Sequence, residues 1–127
     1  FLIGCLLAFA TGTSWGTFGV LIPITMAIFP LDDPMGIVCI AACMAGAVCG
    51  DHCSPISDTT IMASAGAQCH HVDHVSTQLP YALTVGGCCV AAYLVAGFTK
   101  NVFLTMAVGV ILLFAVLSFI RYRQGHK

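Results

Sequence analysis

The stretch GDHCSPISDTT (residues 50–60) places two aspartates, a proline and four hydroxyl side chains inside an apolar part of the chain. Residues 35–50 before it are rich in Ala, Gly and Cys, whose small side chains let helices approach closely in a membrane. Residues 59–67 after it are again small and apolar. Residues 35–67 are too many for one straight membrane helix of about 20 residues. The sequence therefore predicts a single transmembrane helix that is interrupted near its middle.

The two carboxylates of this interruption, Asp51 and Asp58, are its strongest functional signal. A carboxylate near the centre of a bilayer costs about 2.5 to 3.5 kcal/mol, so it needs a compensating partner. Pro55 lacks an N–H and its ring clashes with the carbonyl of Asp51, which predicts a freed carbonyl oxygen beside a carboxylate. Both are ligands for a hard cation, and broken helices of this kind recur in secondary transporters. The alternative is a surface loop in which both carboxylates are hydrated.

The composition of the whole chain indicates a membrane protein. Of 127 residues, 59% are hydrophobic and 7% are charged, whereas a soluble domain carries about 25% charged residues. This excludes a soluble enzyme and a disordered segment, and a net charge of −1 leaves no basic surface for nucleic acid. The expected partner is the lipid bilayer. A chain with room for about four crossings is small for a transporter, so we interpret it as a fragment that lacks an N-terminal half.

Two half-length apolar arms precede the interrupted helix. FLIGCLLAFA (residues 1–10) and VLIPITMAIFP (residues 20–30) are each too short to span a bilayer, and they flank TGTSWGTFG (residues 11–19), which is rich in Gly and hydroxyl residues. This pattern favours a re-entrant hairpin with a polar tip. One tilted and broken crossing is the alternative for the arms, and a packing kink whose Ser and Thr side chains bond their own backbone is the alternative for the tip.

The C-terminal part of the chain predicts two complete transmembrane helices, over residues 79–99 and 102–120. Only two residues separate them, so we expect an antiparallel pair. The turn LDDP (residues 31–34) and the polar stretch QCHHVDHVSTQ (residues 68–78) are expected outside the hydrocarbon. The tail RYRQGHK (residues 121–127) carries three of the four cationic residues, and the positive-inside rule places this C-terminus in the cytoplasm.

The eight cysteines favour a structural role, because most lie in apolar runs where a free Cys behaves as a small buried hydrophobe. A rival hypothesis from another class is a transition-metal site of thiolates and imidazoles, although the spacing matches no usual structural zinc pattern. Histidine is also the ordinary pH-sensing side chain, so His70, His71 and His74 are candidate pH sensors. The metal hypothesis uses the following residues: Cys49, His52, Cys53, Cys69, His70, His71 and His74.

Two motifs carry a resemblance to a known family. ATGTSWGTFGVLIPI (residues 10–24) and GDHCSPISDTTIMASAGAQCHHVDHVSTQLPYAL (residues 50–83) resemble, in order and spacing, the C-terminal part of the NhaC family of sodium/proton antiporters in the ion transporter superfamily. The resemblance implies an all-α polytopic membrane protein that forms part of an inverted-repeat secondary transporter. It assigns a re-entrant hairpin to residues 1–29, a broken helix to residues 35–67 and closing spans to residues 79–99 and 102–120.

The resemblance also implies Na⁺/H⁺ antiport across the cell membrane by a secondary transporter, not an enzyme, with no cofactor beyond the transported Na⁺ and H⁺. Burial raises the pKa of a carboxylate and a bound cation lowers it, so one buried carboxylate can hold either ion in turn. Some members of the family resemble exchangers of organic acids or amino acids, of the malate/lactate type, so the resemblance does not fix the substrate. A homo-oligomer is a possible quaternary structure. The expected ion-binding residues are Asp51 as the exchanging group and Asp58 as a second Na⁺ ligand or a helix cap. Neutral oxygen atoms are expected from Ser54, Thr59, Thr13 and Ser14.

Overall fold

The structure is a computed structural model that describes residues 1–30 and 32–125, and this part of the chain is entirely helical outside its turns. Three helices are long and apolar enough to cross a membrane, which confirms the predicted all-α polytopic class. The six helices of the described ranges are α1 (Leu2–Thr11), α2 (Ser14–Ile28), α3 (Pro34–Cys53), α4 (Asp58–Gly66), α5 (His71–Thr99) and α6 (Val102–Gly125).

The residues at its two ends explain where helix α3 begins and ends. The Asp33 side chain accepts a hydrogen bond from the Met35 N–H at 2.9 Å, and Pro34 occupies the first turn, where its missing N–H costs nothing. The helix continues beyond residue 50 to Cys53 and stops before Pro55, whose ring disfavours helix in the preceding residue. Its 20 residues are enough to span a bilayer. The break follows at residues 54–57, between α3 and α4, and lies within the part of the chain where the sequence predicted an interruption.

A glycine seam joins α1 to α3. Gly46 and Gly50 lie one turn apart on α3, and a Cβ atom on either would overlap the backbone carbonyl oxygen of Phe1 or of Cys5, respectively. The two helices therefore run in the same direction with their backbones in direct contact. This is the small-residue packing that membrane helices use, because lipid provides little hydrophobic drive for helix association.

The chain reverses direction between α1 and α2. Gly12 ends α1 in the left-handed conformation with φ 68°, and Thr13 is the N-cap of α2. Helix α2 then returns along α3, where the Thr25 hydroxyl lies 3.3 Å from the Cys43 sulfur. The two short helices consequently form a hairpin that rests on α3, with its tip at residues 12 and 13.

Helix α5 begins at His71, eight residues before the predicted start at residue 79. The polar stretch over residues 68–78 is therefore helical from His71 onward. Helix α5 runs antiparallel to α3, since Tyr93 donates a hydrogen bond to the Ala41 carbonyl at 3.1 Å and Gln78 donates to the His52 carbonyl at 3.1 Å.

Helix α6 follows a two-residue turn in which Lys100 adopts φ 51°. No residue of its most apolar window is buried within the described structure, and large side chains such as Phe103 and Phe114 are exposed. An apolar helix that leaves so much of its apolar surface exposed fits a position against lipid. The helix continues past the predicted residue 120 to Gly125. Of the predicted turn and cytoplasmic tail, Leu31, His126 and Lys127 lie outside the described residues.

Candidate functional site

Four residues, Ser54 to Ser57, form the break between α3 and α4. The Ser54 N–H donates to the Asp51 carbonyl at 3.1 Å, and the Ser57 N–H donates to the Ser54 carbonyl at 3.4 Å. The prediction of a freed Asp51 carbonyl is therefore wrong: the end of the helix tightens, and an N–H three residues on replaces the missing N–H of Pro55. The side chains of Ser54 and Ser57 are fully buried.

The carboxylate of Asp51 is the buried charge of this break. Asp51 is 5% exposed, and its Oδ1 accepts a hydrogen bond of 2.6 Å from the Ser57 hydroxyl. It lies in the last turn of α3, where the helix dipole is negative and disfavours an anion. Within the described ranges no Lys, Arg or His side chain pairs with it. The Ser57 hydroxyl is therefore the one hydrogen-bond donor to this carboxylate within the described residues.

A chain of hydroxyl groups connects Asp51 to the surface of the described structure. Ser57 has a single hydroxyl proton, which it donates to Asp51, so Thr59 must be the donor in the 2.8 Å hydrogen bond between Thr59 and Ser57. Thr59 itself is exposed. When Asp51 is protonated, the direction of both hydrogen bonds can reverse. Two hydroxyl groups thus link the buried carboxylate to an accessible position.

The neighbouring Thr60 carries a polar atom without a partner. Its side chain is 4% exposed, and its Oγ1 atom is buried and makes no hydrogen bond. Such a group costs about 1 to 3 kcal/mol when it stays unsatisfied. The Thr60 oxygen is therefore available to a ligand. Ser57 and Thr60 were not among the expected ion ligands, although four hydroxyl residues within residues 54–60 were a visible signal.

Asp58 does not join Asp51. It is exposed, and its Oδ1 accepts a hydrogen bond from the Thr59 N–H at 2.8 Å. Its position in the first turn of α4 stabilises it through the positive end of the helix dipole. Ser57 is the N-cap residue of α4, so Asp58 lies in the first turn and interacts with the start of this helix and not with Asp51.

Ser54 connects the break to the hairpin. Its hydroxyl donates a hydrogen bond of 2.8 Å to the carbonyl of Phe9, 45 residues earlier in the chain. Phe9 lies in the last turn of α1, where carbonyl groups lack a partner within the helix. The hydroxyl of the predicted ligand Ser54 therefore attaches the hairpin to the break and does not bond the Asp51 carboxylate.

Replacing this hydroxyl should destabilise the protein measurably. We expect Ser54→Ala to lower the free energy of unfolding by about 0.5 to 1.5 kcal/mol, because it removes the hydrogen bond between the buried Ser54 hydroxyl and the Phe9 carbonyl. The measurement is the temperature of half-denaturation of the purified protein. Ser76→Ala is the matched control, since the Ser76 hydroxyl is exposed and bonds only the Asp73 carbonyl. Equal losses in both variants would contradict the assigned role of Ser54.

The tip of the hairpin touches the break through its backbone. A Cβ atom on Gly12 would lie 2.9 Å from the Ile56 carbonyl oxygen. The Thr13 side chain accepts from the Gly16 N–H at 3.3 Å and so caps α2, while the half-buried Ser14 hydroxyl makes no hydrogen bond in the described ranges. The structure thus brings the two predicted halves of the site together, and the local use of Thr13 agrees with the packing alternative for the tip.

The described Cys and His residues do not converge into a metal site. Among the described residues no three His, Cys, Asp or Glu side chains converge on a point that could hold a metal. Both ring nitrogens of His71 are already used, by Ser64 at 3.1 Å and by the Pro55 carbonyl at 2.6 Å. The rival metal hypothesis is therefore not supported.

Long apolar helices beside a break that holds a buried carboxylate define a multi-pass membrane protein of the transporter class. The model of the Na⁺/H⁺ antiporter family matches residues 1–98, and the chain belongs to this family. This result confirms the resemblance that the two motifs indicated. No solved structure matches the chain significantly.

Three proteins of known sequence are similar to this chain over most of its length. An uncharacterized protein of Haemophilus influenzae is 56% identical over 102 residues, which cover 80% of this chain and 20% of that protein. The arginine/ornithine antiporter ArcD of Halobacterium salinarum is 34% identical over 76% of this chain and 20% of its own. The malate-2H⁺/Na⁺-lactate antiporter of Bacillus subtilis is 35% identical over 61% and 17%. The chain spans about a fifth of the length of these relatives.

Proposed function

We propose that this chain forms the C-terminal ion-binding part of a secondary transporter that exchanges Na⁺ for H⁺ at Asp51. The observation that carries the proposal is the Asp51 carboxylate, which is buried, lacks a cationic partner in the described ranges and accepts a hydrogen bond from Ser57. A carboxylate in this position binds one positive charge at a time. Competition between a proton and Na⁺ then couples the two ion movements.

The oxygen atoms around the break support Na⁺ as the competing cation. Na⁺ is a hard cation and prefers oxygen ligands, as do other hard cations in proteins. We assign the Asp51 carboxylate as the charged ligand, with neutral oxygens from Ser57, Thr59 and the unpartnered Thr60. Asp58 adds negative charge at the exposed side of this group, and its role as a second ligand remains part of the proposal.

The hydroxyl chain supports a route for the proton. A proton that arrives at the exposed Thr59 can be transferred through Ser57 to Asp51 by reversal of the two hydrogen bonds. The atoms do not need to move far, because each donor already lies within 2.8 Å of its acceptor. Binding of Na⁺ would expel the proton along the same route.

The surrounding elements complete the proposal. We propose that Thr13 and Ser14 line the edge of the site; the approach of the neighbouring Gly12 to the Ile56 carbonyl and the hydrogen bond from Ser54 to Phe9 support this. We propose a re-entrant position for this hairpin, a cytoplasmic C-terminus, and an N-terminal repeat that supplies the remaining ligands. The cell membrane is the proposed location.

A second candidate function is exchange of an organic substrate coupled to the same ions. Two relatives favour it, since one is named an arginine/ornithine antiporter and the other a malate-2H⁺/Na⁺-lactate antiporter. In this alternative the Asp51 site would still hold the coupling ion. The organic molecule would bind elsewhere in the intact protein.

Proton flux in proteoliposomes distinguishes the two functions. The intact protein that carries this chain is reconstituted, an external Na⁺ pulse is applied, and the internal pH is followed with a dye. We expect Na⁺ alone to drive proton movement, without a change on addition of malate, lactate, arginine or ornithine. Flux that appears only with one of these molecules would reject simple Na⁺/H⁺ exchange and support the second candidate.

A further inference from the structure

The imidazole of His71 connects the start of α5 to the break and to α4. Its Nε2 lies 2.6 Å from the carbonyl oxygen of Pro55, and its Nδ1 lies 3.1 Å from the hydroxyl of Ser64 in α4. A carbonyl can only accept a hydrogen bond, so Nε2 carries a proton and donates it to Pro55. These contacts hold the backbone of the break from outside the segment that contains Asp51.

We propose that His71 is a positioning residue for the ion site, which holds the break and α4 in place and holds them more firmly when its ring is protonated. The relevance to transport rests on the proposed function. The geometric part stands on the two hydrogen bonds of the ring alone.

The number of hydrogen bonds at Ser64 depends on the charge of the His71 ring. The Ser64 hydroxyl lies 2.9 Å from the Ile61 carbonyl and 3.1 Å from His71 Nδ1, and it has one proton to donate. A neutral ring, with its proton on Nε2, makes Ser64 choose between these two acceptors. A protonated ring donates from Nδ1 to Ser64, and Ser64 then donates to Ile61. The charged ring therefore allows one more hydrogen bond than the neutral ring.

The surroundings of His71 contain several other titratable groups, but within the described residues Ser64 and Pro55 are the only hydrogen-bonding partners of its ring. His70 and His74 have the same chemistry and make no side-chain hydrogen bond, so they provide matched controls. The titratable groups on the elements around the ring are Cys69, His70, Asp73 and His74 near it in sequence, Asp58 on α4, and Asp51, His52 and Cys53 on α3.

Hydrogen–deuterium exchange in lipid nanodiscs tests this role without any transport assay. Protection of the amides in residues 54–66 of the intact protein is measured at about pH 5.5 and about pH 7.5, on either side of the usual titration of histidine, and corrected for intrinsic rates. We expect protection to be roughly 2- to 10-fold higher at the lower pH, as one additional hydrogen bond provides. His74→Gln should preserve this ratio.

Two variants separate the stabilisation of the break by residue 71 from the pH dependence of that stabilisation. His71→Gln keeps an N–H that can donate to Pro55 but cannot titrate, so we expect protection without a pH ratio. Ser64→Ala removes the partner of Nδ1 and should abolish the ratio while the Pro55 contact remains. A wild-type pH ratio in His71→Gln, or an equal loss of the ratio in His74→Gln, would overturn the proposal.

The pH profile of ion exchange then links His71 to transport. We expect the profile of Na⁺-driven proton flux to shift in His71→Gln and to stay unchanged in His74→Gln. If the unmodified protein shows the expected protection ratio but no Na⁺-driven flux, the proposed function is rejected. The positioning role of His71 is then still supported. A normal flux with no protection ratio would reject the role of His71 and leave the exchange function standing.

Discussion

Asp51→Asn is expected to abolish Na⁺-driven proton exchange by the intact protein, with a loss of more than about 100-fold, as for removal of an essential proton-transferring group. The substitution preserves the size of the side chain, and the amide oxygen of Asn can still accept the hydrogen bond from Ser57. It removes the negative charge and the site that takes up the proton. The protein should therefore fold normally and fail only in ion exchange.

The measurement is proton flux after a Na⁺ pulse, together with the thermal denaturation of the same preparations. Asp32→Asn is the matched control, because Asp32 is an exposed carboxylate far from the break and makes no hydrogen bond in the described ranges. It should leave both quantities unchanged. Full exchange by Asp51→Asn would reject the proposal, since no other carboxylate near the break is buried.

Comparison with Asp58→Asn resolves the role of the second carboxylate. An exposed residue that bonds the Thr59 N–H contributes mainly through its charge at the helix start, so the capping role predicts continued exchange at a higher Na⁺ requirement. A loss as large as that of Asp51→Asn would instead make Asp58 a direct ligand.

Gly50→Ala has the second largest expected effect, and it acts on the fold. The added Cβ atom would overlap the backbone carbonyl oxygen of Cys5, which cannot turn away as a flexible side chain can. Helix α1 must then move away from α3, and the hydrogen bond between Ser54 and Phe9 is lost with it. We expect a loss of about 3 kcal/mol in the free energy of unfolding, at the upper end of overpacking effects.

Gly87→Ala provides the control for the helix itself. Gly87 lies within α5 and has nothing within 4 Å of the position that a Cβ atom would take. Alanine favours a helix over glycine by up to about 1 kcal/mol, so this variant should be as stable as the wild type or more stable. The two temperatures of half-denaturation are compared in the same detergent. Similar stability of both variants would show that α1 does not contact α3 closely.

The structural class and the position of the break could be derived from the sequence, because both depend on local chemistry. Apolar segments of membrane-spanning length identify the long helices, and Pro55 ends α3 through its own ring and missing N–H. Two of the motifs were sufficient to indicate the family. The short turn at Lys100 between two apolar segments likewise identified the α5–α6 pair.

The partners of each polar group could not be derived in this way. Asp51 is buried and Asp58 is exposed, although both are aspartates next to the same proline-containing turn. The sequence predicted the start of α5 eight residues too late, because the first two turns of this helix are polar. In the structure these turns are helical, and His71 at their start contacts Pro55. That contact joins residues far apart in sequence.

From its sequence alone, this protein is a bundle of apolar helices with a proline-containing break that is rich in hydroxyl and carboxyl groups. The tertiary structure decided which carboxylate is buried, which hydroxyl groups form a chain to it, and which oxygen remains free. The physical reason is range: helix length and proline act over a few residues, whereas burial and hydrogen bonding in the break depend on α1 and α5, whose contacting residues lie 45 and 16 positions away.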